Sequence, residues 1–272
     1  MEEQEIYYDS WKESRDLILE YNQVRIDNIG VSNILGIGVD NISSQQAIVK
    51  VMRMIEEGGV YHVIPLNPYK LIRYRSNTDL NIIYNKADLK FASGAGILHY
   101  ARKVKRPLQE RIPLLSFLME LIRLSEIKEY SIFFVGAKPE VVEKAFTNIS
   151  KSFPKIRIVG RHGGFFNPER ELSVVEAIRK SQAKILVVGM GFPKEDKWVA
   201  KFRNQFKNIV IITVGGSLDI ISGDIKKAPA NFMDSGLDWF YRIITRPWRI
   251  GRLMRLFLFE LHLFFATLLK RY

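Results

Sequence analysis

Four apolar segments of this chain run straight into glycine. Phe91-Ala92 leads to Ser93-Gly94-Ala95-Gly96, and Phe134-Val135 to Gly136-Ala137-Lys138-Pro139. Val187-Val188 leads to Gly189-Met190-Gly191-Phe192-Pro193-Lys194, and Thr213-Val214 to Gly215-Gly216-Ser217. Short apolar runs that stop at glycine and give way to amphipathic stretches predict strand, tight turn and helix in repetition. That order builds βαβ units around a parallel sheet.

The rest of residues 31–222 follows the same alternation. Strands are expected at Val60–Pro65, Ala87–Ala92, Ser131–Val135, Ile156–Val159, Lys184–Val188 and Asn208–Val214. Helical spacing covers 44–57, where Gly58-Gly59 closes the pattern as a C-cap would, and then 97–105, 114–128, 139–151, 169–182 and 194–206. The expected fold is α/β, a Rossmann-like parallel sheet flanked by helices. No repeat of fixed period and no low-complexity linker interrupts it.

In an open parallel sheet, ligands bind outside the carboxyl ends of the strands. Glycine there lets the backbone approach a phosphate, and the next helix offers unpaired N–H groups. Glycine also simply makes tight turns, so one such turn carries no weight, whereas four at one end of a sheet point to a crevice for a phosphorylated ligand. None matches the GxGxxG dinucleotide fingerprint or a P-loop. Other chemistry is sparse. The chain has no cysteine, which excludes disulfides, zinc-thiolate sites and thiol nucleophiles. His62, His99, His162 and His262 lack ligand spacing, so no metal is expected. Ser93 and Ser217 adjoin glycine but neither lies in GxSxG.

Charge divides the 272 residues unevenly. The total is +12, which favours anionic partners. Residues 1–30 carry eight acids and three bases, whereas 242–272 carry seven bases and Glu260 alone as an acid. This predicts an acidic N-terminal extension (1–30), an α/β domain (31–233) and a basic amphipathic appendage (234–272). The N-terminus shows no basic segment followed by an apolar one, so no secretory signal is expected. The apolar block Leu256–Leu269 is interrupted by Glu260 and His262 and falls short of the ~18–20 residues that span a bilayer. Arg242, Arg246, Arg249, Arg252 and Arg255 recur every three or four residues, with a break expected at Pro247, and Phe257, Phe259, Phe264 and Phe265 follow. Such a helix is expected on an acidic membrane surface, in preference to packing on its own domain or in a homo-oligomer. Nucleic acid is not expected, because no aromatic-rich sheet motif or recognition helix accompanies the charge.

Taken together, these segments resemble the WecG/TagA/CpsF family, glycosyltransferase family 26, from about Ile34 to Arg255. The resemblance rests on Gly189-Met-Gly-Phe-Pro-Lys-Glu-Asp-Lys-Trp198, on Val214-Gly-Gly-Ser-Leu-Asp-Ile-Ile-Ser-Gly223 followed by Lys227-Ala-Pro229, and on Gly236-Leu-Asp-Trp-Phe-Tyr-Arg242. Phe133–Pro139 and Pro107–Ile112 agree with it. It implies inverting, metal-independent transfer of an (N-acetyl)hexosamine or related hexose, with no cofactor. The donor would be a UDP-sugar and the acceptor a polyprenyl-diphosphate-linked sugar at the cytoplasmic face of the membrane, in teichoic acid or exopolysaccharide synthesis. Family self-association implies a homo-oligomer or a homologous partner subunit. Substrate contacts are expected from Asn67, Gly94, Gly96, Arg111, Gly136, Lys138, Gly189, Gly191, Pro193, Lys194, Trp198, Gly215, Gly216 and Asp219. Contacts to the lipid diphosphate are expected from Arg242, Arg249 and Arg252.

The sequence also departs from the family pattern. Ser93 stands where the family usually has the aspartate proposed as general base, and Pro65 where it has threonine. Glu195 replaces a glutamine, and Leu114-Leu115-Ser116 replaces Gly-x-Asp. Inverting transfer needs a group to take the acceptor's proton, and a serine hydroxyl needs a base of its own to do this. The catalytic candidates are therefore Glu195 and Ser93; Asp88 begins its strand rather than ending it. The alternative is a subunit that binds UDP-sugar or lipid diphosphate without turning over, paired with an active homologue.

Overall fold

A computed structural model describes residues 16–236 together with positions 240, 241, 244, 245, 251, 254 and 257. Residues 16–23 are helical (α1). A hairpin, β1 (Val31–Ile34) and β2 (Ile37–Asp40), precedes α2 (Ser44–Glu57) and β3 (Val60–Leu66). Then come α3 (Pro68–Arg75), α4 (Thr78–Asn85), β4 (Leu89–Ala92), α5 (Ala95–Lys103), α6 (Leu114–Ile127), β5 (Ile132–Gly136), α7 (Pro139–Ser152), β6 (Ile158–His162) and α8 (Pro168–Ser181). The chain continues through β7 (Ile185–Gly189), α9 (Lys194–Phe202), β8 (Ile209–Thr213), α10 (Ser217–Ile221) and α11 (Ala230–Asp234).

Six strands form one sheet in the order β4-β3-β8-β7-β5-β6, and every neighbouring pair is parallel. Strands buried on both faces must be apolar throughout, which is why they read as continuous runs. Their side chains alternate between two cores. Ile132, Phe134, Ile185, Val187, Val210 and Ile212 pack with α2, α6 and α7. Phe133, Val135, Leu186, Val188 and Ile211 pack with α8 and α9 on the opposite face. Helix starts follow local chemistry: Ser43 and Gln46 form a reciprocal capping box at α2, and the Asn67 and Asn167 side chains cap α3 and α8.

Several expectations need correction. The strand expected at Ile156–Val159 is β6 at Ile158–His162, and its pairing with β5 shifts register between Ile132 and Phe133. The helix expected over 194–206 ends at Phe202, and a 3-10 turn covers Arg203–Gln205. The hairpin and the helices α3, α4, α10 and α11 add to the elements that the sequence pattern predicts. The hairpin covers the edge strand β4: the Asp40 carboxylate accepts the Lys90 backbone N–H at 2.9 Å and pairs with Lys50 Nζ at 2.7 Å. At the N-terminal side, Tyr21 is buried in the core and donates to Glu120. Among the described residues no helix is long and apolar enough to cross a membrane.

Candidate functional site

Because all six strands are parallel, their carboxyl ends share one rim, and the four glycine turns singled out in the sequence all lie on it. The helices that leave β5 and β7 pack on opposite faces, α7 on one and α9 on the other. The adjacent pair β5/β7 is thus a topological switch point, where α/β sheets open a ligand crevice. Gly136 and Gly189 face each other across it in register. A Cβ on Gly136 would lie 2.4 Å from the Gly189 carbonyl, and one on Gly96 would lie 2.4 Å from the Pro68 ring. Glycine at these two positions is required so that neighbouring turns can touch. Gly191 differs: its φ is +81°, and a Cβ added there would have nothing within 4 Å.

Beneath the rim lies a buried charged cluster. Lys70, in the first turn of α3, points its Nζ at Glu195 Oε1 (3.6 Å), Asp196 Oδ1 (3.4 Å) and Thr213 Oγ1 (3.5 Å). Both carboxylates are fully buried in the first turn of α9, where the helix dipole favours negative charge. Glu195 Oε2 accepts the Gly191 N–H at 3.1 Å and the Gly215 N–H at 2.9 Å. It thereby ties the turn after β7 to the turn after β8. Burial pushes the Glu195 carboxyl up to about 7, against the opposing pull of Lys70, and Asp196 adds to the rise. Burial also raises Asp196, again opposed by Lys70. The Tyr84 hydroxyl, Glu195 Oε1 and Asp196 Oδ2 are buried without hydrogen-bond partners.

The N–H groups of Gly191 and Gly215 are therefore engaged by a carboxylate of the chain itself.

The remaining predicted residues divide by place. Asn67 caps α3 by accepting the Lys70 N–H, and Gly94 packs on it. The half-buried Ser93 donates its hydroxyl to the Leu66 carbonyl at 2.8 Å. Lys138 is exposed at the start of α7. Exposed Lys194 donates to the Gly164 carbonyl and stands 5.4 Å from the rings of Phe165 and Phe166. Pro193 follows Phe192 through a cis peptide bond. Asp219 lies in the first turn of α10, with Oδ2 facing Gly216. Trp198 is buried among Phe166, Phe202 and Phe206. Arg111 donates to the Met233 carbonyl, which joins α11 to the segment before α6. Arg242, Arg249 and Arg252 lie outside the described residues.

The sequence pattern of the glycosyl transferase WecG/TagA/CpsF family matches residues 32–272. The chain belongs to that family. Similar proteins include an N-acetylglucosaminyldiphosphoundecaprenol N-acetyl-beta-D-mannosaminyltransferase of Staphylococcus aureus strain NCTC 8325 / PS 47. It is 31% identical over 229 residues, covering 83% of this chain and 89% of the relative. The protein of the same description from S. aureus strain MRSA252 is 30% identical over the same shares.

Within this WecG/TagA/CpsF member, Lys70, Asp196 and Thr213 are the residues near the rim that sequence reasoning missed. Lys70 stands between Tyr69 and Arg73 on a short polar helix and reads as a surface residue. Its burial depends on partners more than 120 positions away. Asp196 belongs to the glycine-rich motif after β7, yet no local signal gives it a role, and Thr213 reads as the polar end of an apolar strand.

Proposed function

We propose that this chain is a membrane-surface glycosyltransferase that moves an N-acetylhexosamine or related hexose from a UDP-sugar to a polyprenyl-diphosphate-linked sugar. The observation that carries the reading is the β5/β7 switch point, which opens on the rim that the strand-end turns share. Family membership supports it, and so do the relatives, whose name describes transfer of N-acetyl-beta-D-mannosamine to N-acetylglucosaminyldiphosphoundecaprenol. The exposed ammonium groups of Lys138 and Lys194 suit the donor diphosphate. An acceptor hydroxyl attacks the anomeric carbon, the bond to the UDP oxygen breaks, and UDP leaves with the electron pair.

The acceptor's proton is assigned to Glu195, a carboxyl raised by burial to about 7 in the first turn of α9, directly beneath the rim. To take it, Oε1 must part from Lys70 and meet the acceptor. In this reading the basic appendage, residues 234–272, holds the protein to the cytoplasmic face of the membrane.

A second reading is favoured by two observations: Glu195 is fully buried, and the Ser93 hydroxyl donates to a carbonyl. A chain so arranged binds UDP-sugar without turnover and serves an active homologue. The deciding experiment supplies UDP-sugars and a short-chain polyprenyl-diphosphate sugar on acidic vesicles and follows UDP release and product mass. Transfer is expected. UDP binding by calorimetry, with no donor consumed, would establish the second reading instead.

A further inference from the structure

Among the described residues, Lys70 is the one buried lysine or arginine, 5% exposed. Burying an ammonium group is costly unless it is paired, so its surroundings should explain it. They do so through three separate rim turns. Lys70 follows Asn67, whose side chain caps its helix at the end of β3. It faces Glu195 and Asp196 after β7, and Thr213 at the end of β8. Glu195 in turn holds the N–H groups of Gly191 and Gly215 through Oε2, while Oε1 has Lys70 as its ion-pair partner and no hydrogen bond. Without Lys70, two adjacent buried carboxylates would face each other with no cation between them. Like charges in one buried site repel, and the freed Glu195 could no longer hold both glycine turns.

We propose that Lys70 is a positioning residue: its buried ammonium fixes Glu195, and through Glu195 it sets the spacing of the Gly191 and Gly215 turns on the rim where Lys194 meets the donor's diphosphate. The second half of this inference rests on the donor-binding reading above; the coupling between Lys70 and the two turns does not.

The test compares wild-type protein, Lys70→Met and Lys70→Met/Glu195→Gln. The double variant removes both charges, and its amide oxygen can still accept from Gly191 and Gly215. Two readouts are taken: uridine diphosphate affinity by calorimetry, and hydrogen exchange of the Gly191 and Gly215 amides without ligand. Lys70→Met is expected to weaken uridine diphosphate about 10-fold or more, a loss of at least ~1.4 kcal/mol. It should speed exchange at Gly191 and Gly215 while leaving Val187 and Ile212 unchanged. The double variant is expected to recover affinity to within about 3-fold and to slow both amides again, as coupled neighbours do in a double-mutant cycle.

The inference is overturned if Lys70→Met binds like wild type, if the double variant is no better than the single one, or if exchange rises equally throughout the sheet. Should Lys70→Met not fold, recovery of folding and of slow glycine exchange in the double variant supports the coupling, and failure of both overturns it. If wild-type protein takes up no uridine diphosphate, the donor reading fails, while the ligand-free exchange still decides the coupling.

Discussion

Asp40, the last residue of β2, accepts the backbone N–H of Lys90 in β4 at 2.9 Å, so a side chain closes an edge that lacks a partner strand. An exposed edge strand invites pairing with other chains. Asp40 also pairs with Lys50 at 2.7 Å and is itself buried. Replacing it with alanine leaves the Lys90 amide and Lys50 without their acceptor. Asp40→Ala is expected to cost about 2–4 kcal/mol, read from urea denaturation. A cost below ~0.5 kcal/mol would show that the hairpin does not depend on this contact.

Glu195 gives a pH prediction. Its carboxyl is raised by burial to about 7 in the folded chain, from an ordinary 4.5. The folded state therefore holds a proton that the unfolded state has released between those values. Stability falls as pH rises through that window and stays lower above it. Glutamine cannot ionise. The melting temperature of Glu195→Gln relative to wild type should rise from pH 4.5 to pH 8, and a constant difference would refute the assignment.

The same substitution separates the catalytic candidates. If Glu195 takes the acceptor's proton, Glu195→Gln lowers kcat by roughly 10²–10⁴-fold. Ser93→Ala loses only the bond to the Leu66 carbonyl and should stay within about 5-fold of wild type. Equal losses in both variants would remove the distinction.

Tyr84 is fully buried in the cluster formed by the hairpin, β3 and α3, stacked on Tyr74, and its hydroxyl meets no partner. Removing a buried group that makes no hydrogen bond relieves a desolvation cost. Tyr84→Phe should be neutral or more stable by up to ~2 kcal/mol. Destabilisation by more than ~1 kcal/mol in denaturant titration would mean that the hydroxyl is satisfied.

Gly136 and Gly191 should respond differently to alanine. At Gly136 the added carbon meets the Gly189 backbone at 2.4 Å, so Gly136→Ala is expected to cost about 2–5 kcal/mol. At Gly191 there is space, and only the left-handed backbone opposes a side chain, so Gly191→Ala should cost roughly 1 kcal/mol. Denaturation midpoints of the two variants decide this.

The centre of the sheet can be read from sequence because β5, β7 and β8 are buried along their whole length and are therefore almost wholly apolar. The hairpin cannot. Its turn residues, Leu35 at φ +54° and Gly36 at φ +95°, form a connection that Asn-Gly would normally announce. Leucine there hides it, and the fold accepts the strain because the flanking Ile34 and Ile37 are completely buried. The helices α3 and α4 have eight residues each and bury few apolar side chains, Leu71, Tyr74, Leu80 and Tyr84. The site is half readable: turns announce themselves locally through glycine, but the Lys70 cluster exists only once β3, β7 and β8 lie side by side.

The crowding of Gly136 against Gly189 has a consequence for how such a protein diverges. Backbone wedged against backbone leaves no freedom in the floor of the crevice, so mutation cannot widen or shift it without wrecking the whole. Novelty is confined to the side chains around it, and a half-buried position such as Ser93 is where a lineage can exchange chemistry while inheriting its architecture unchanged.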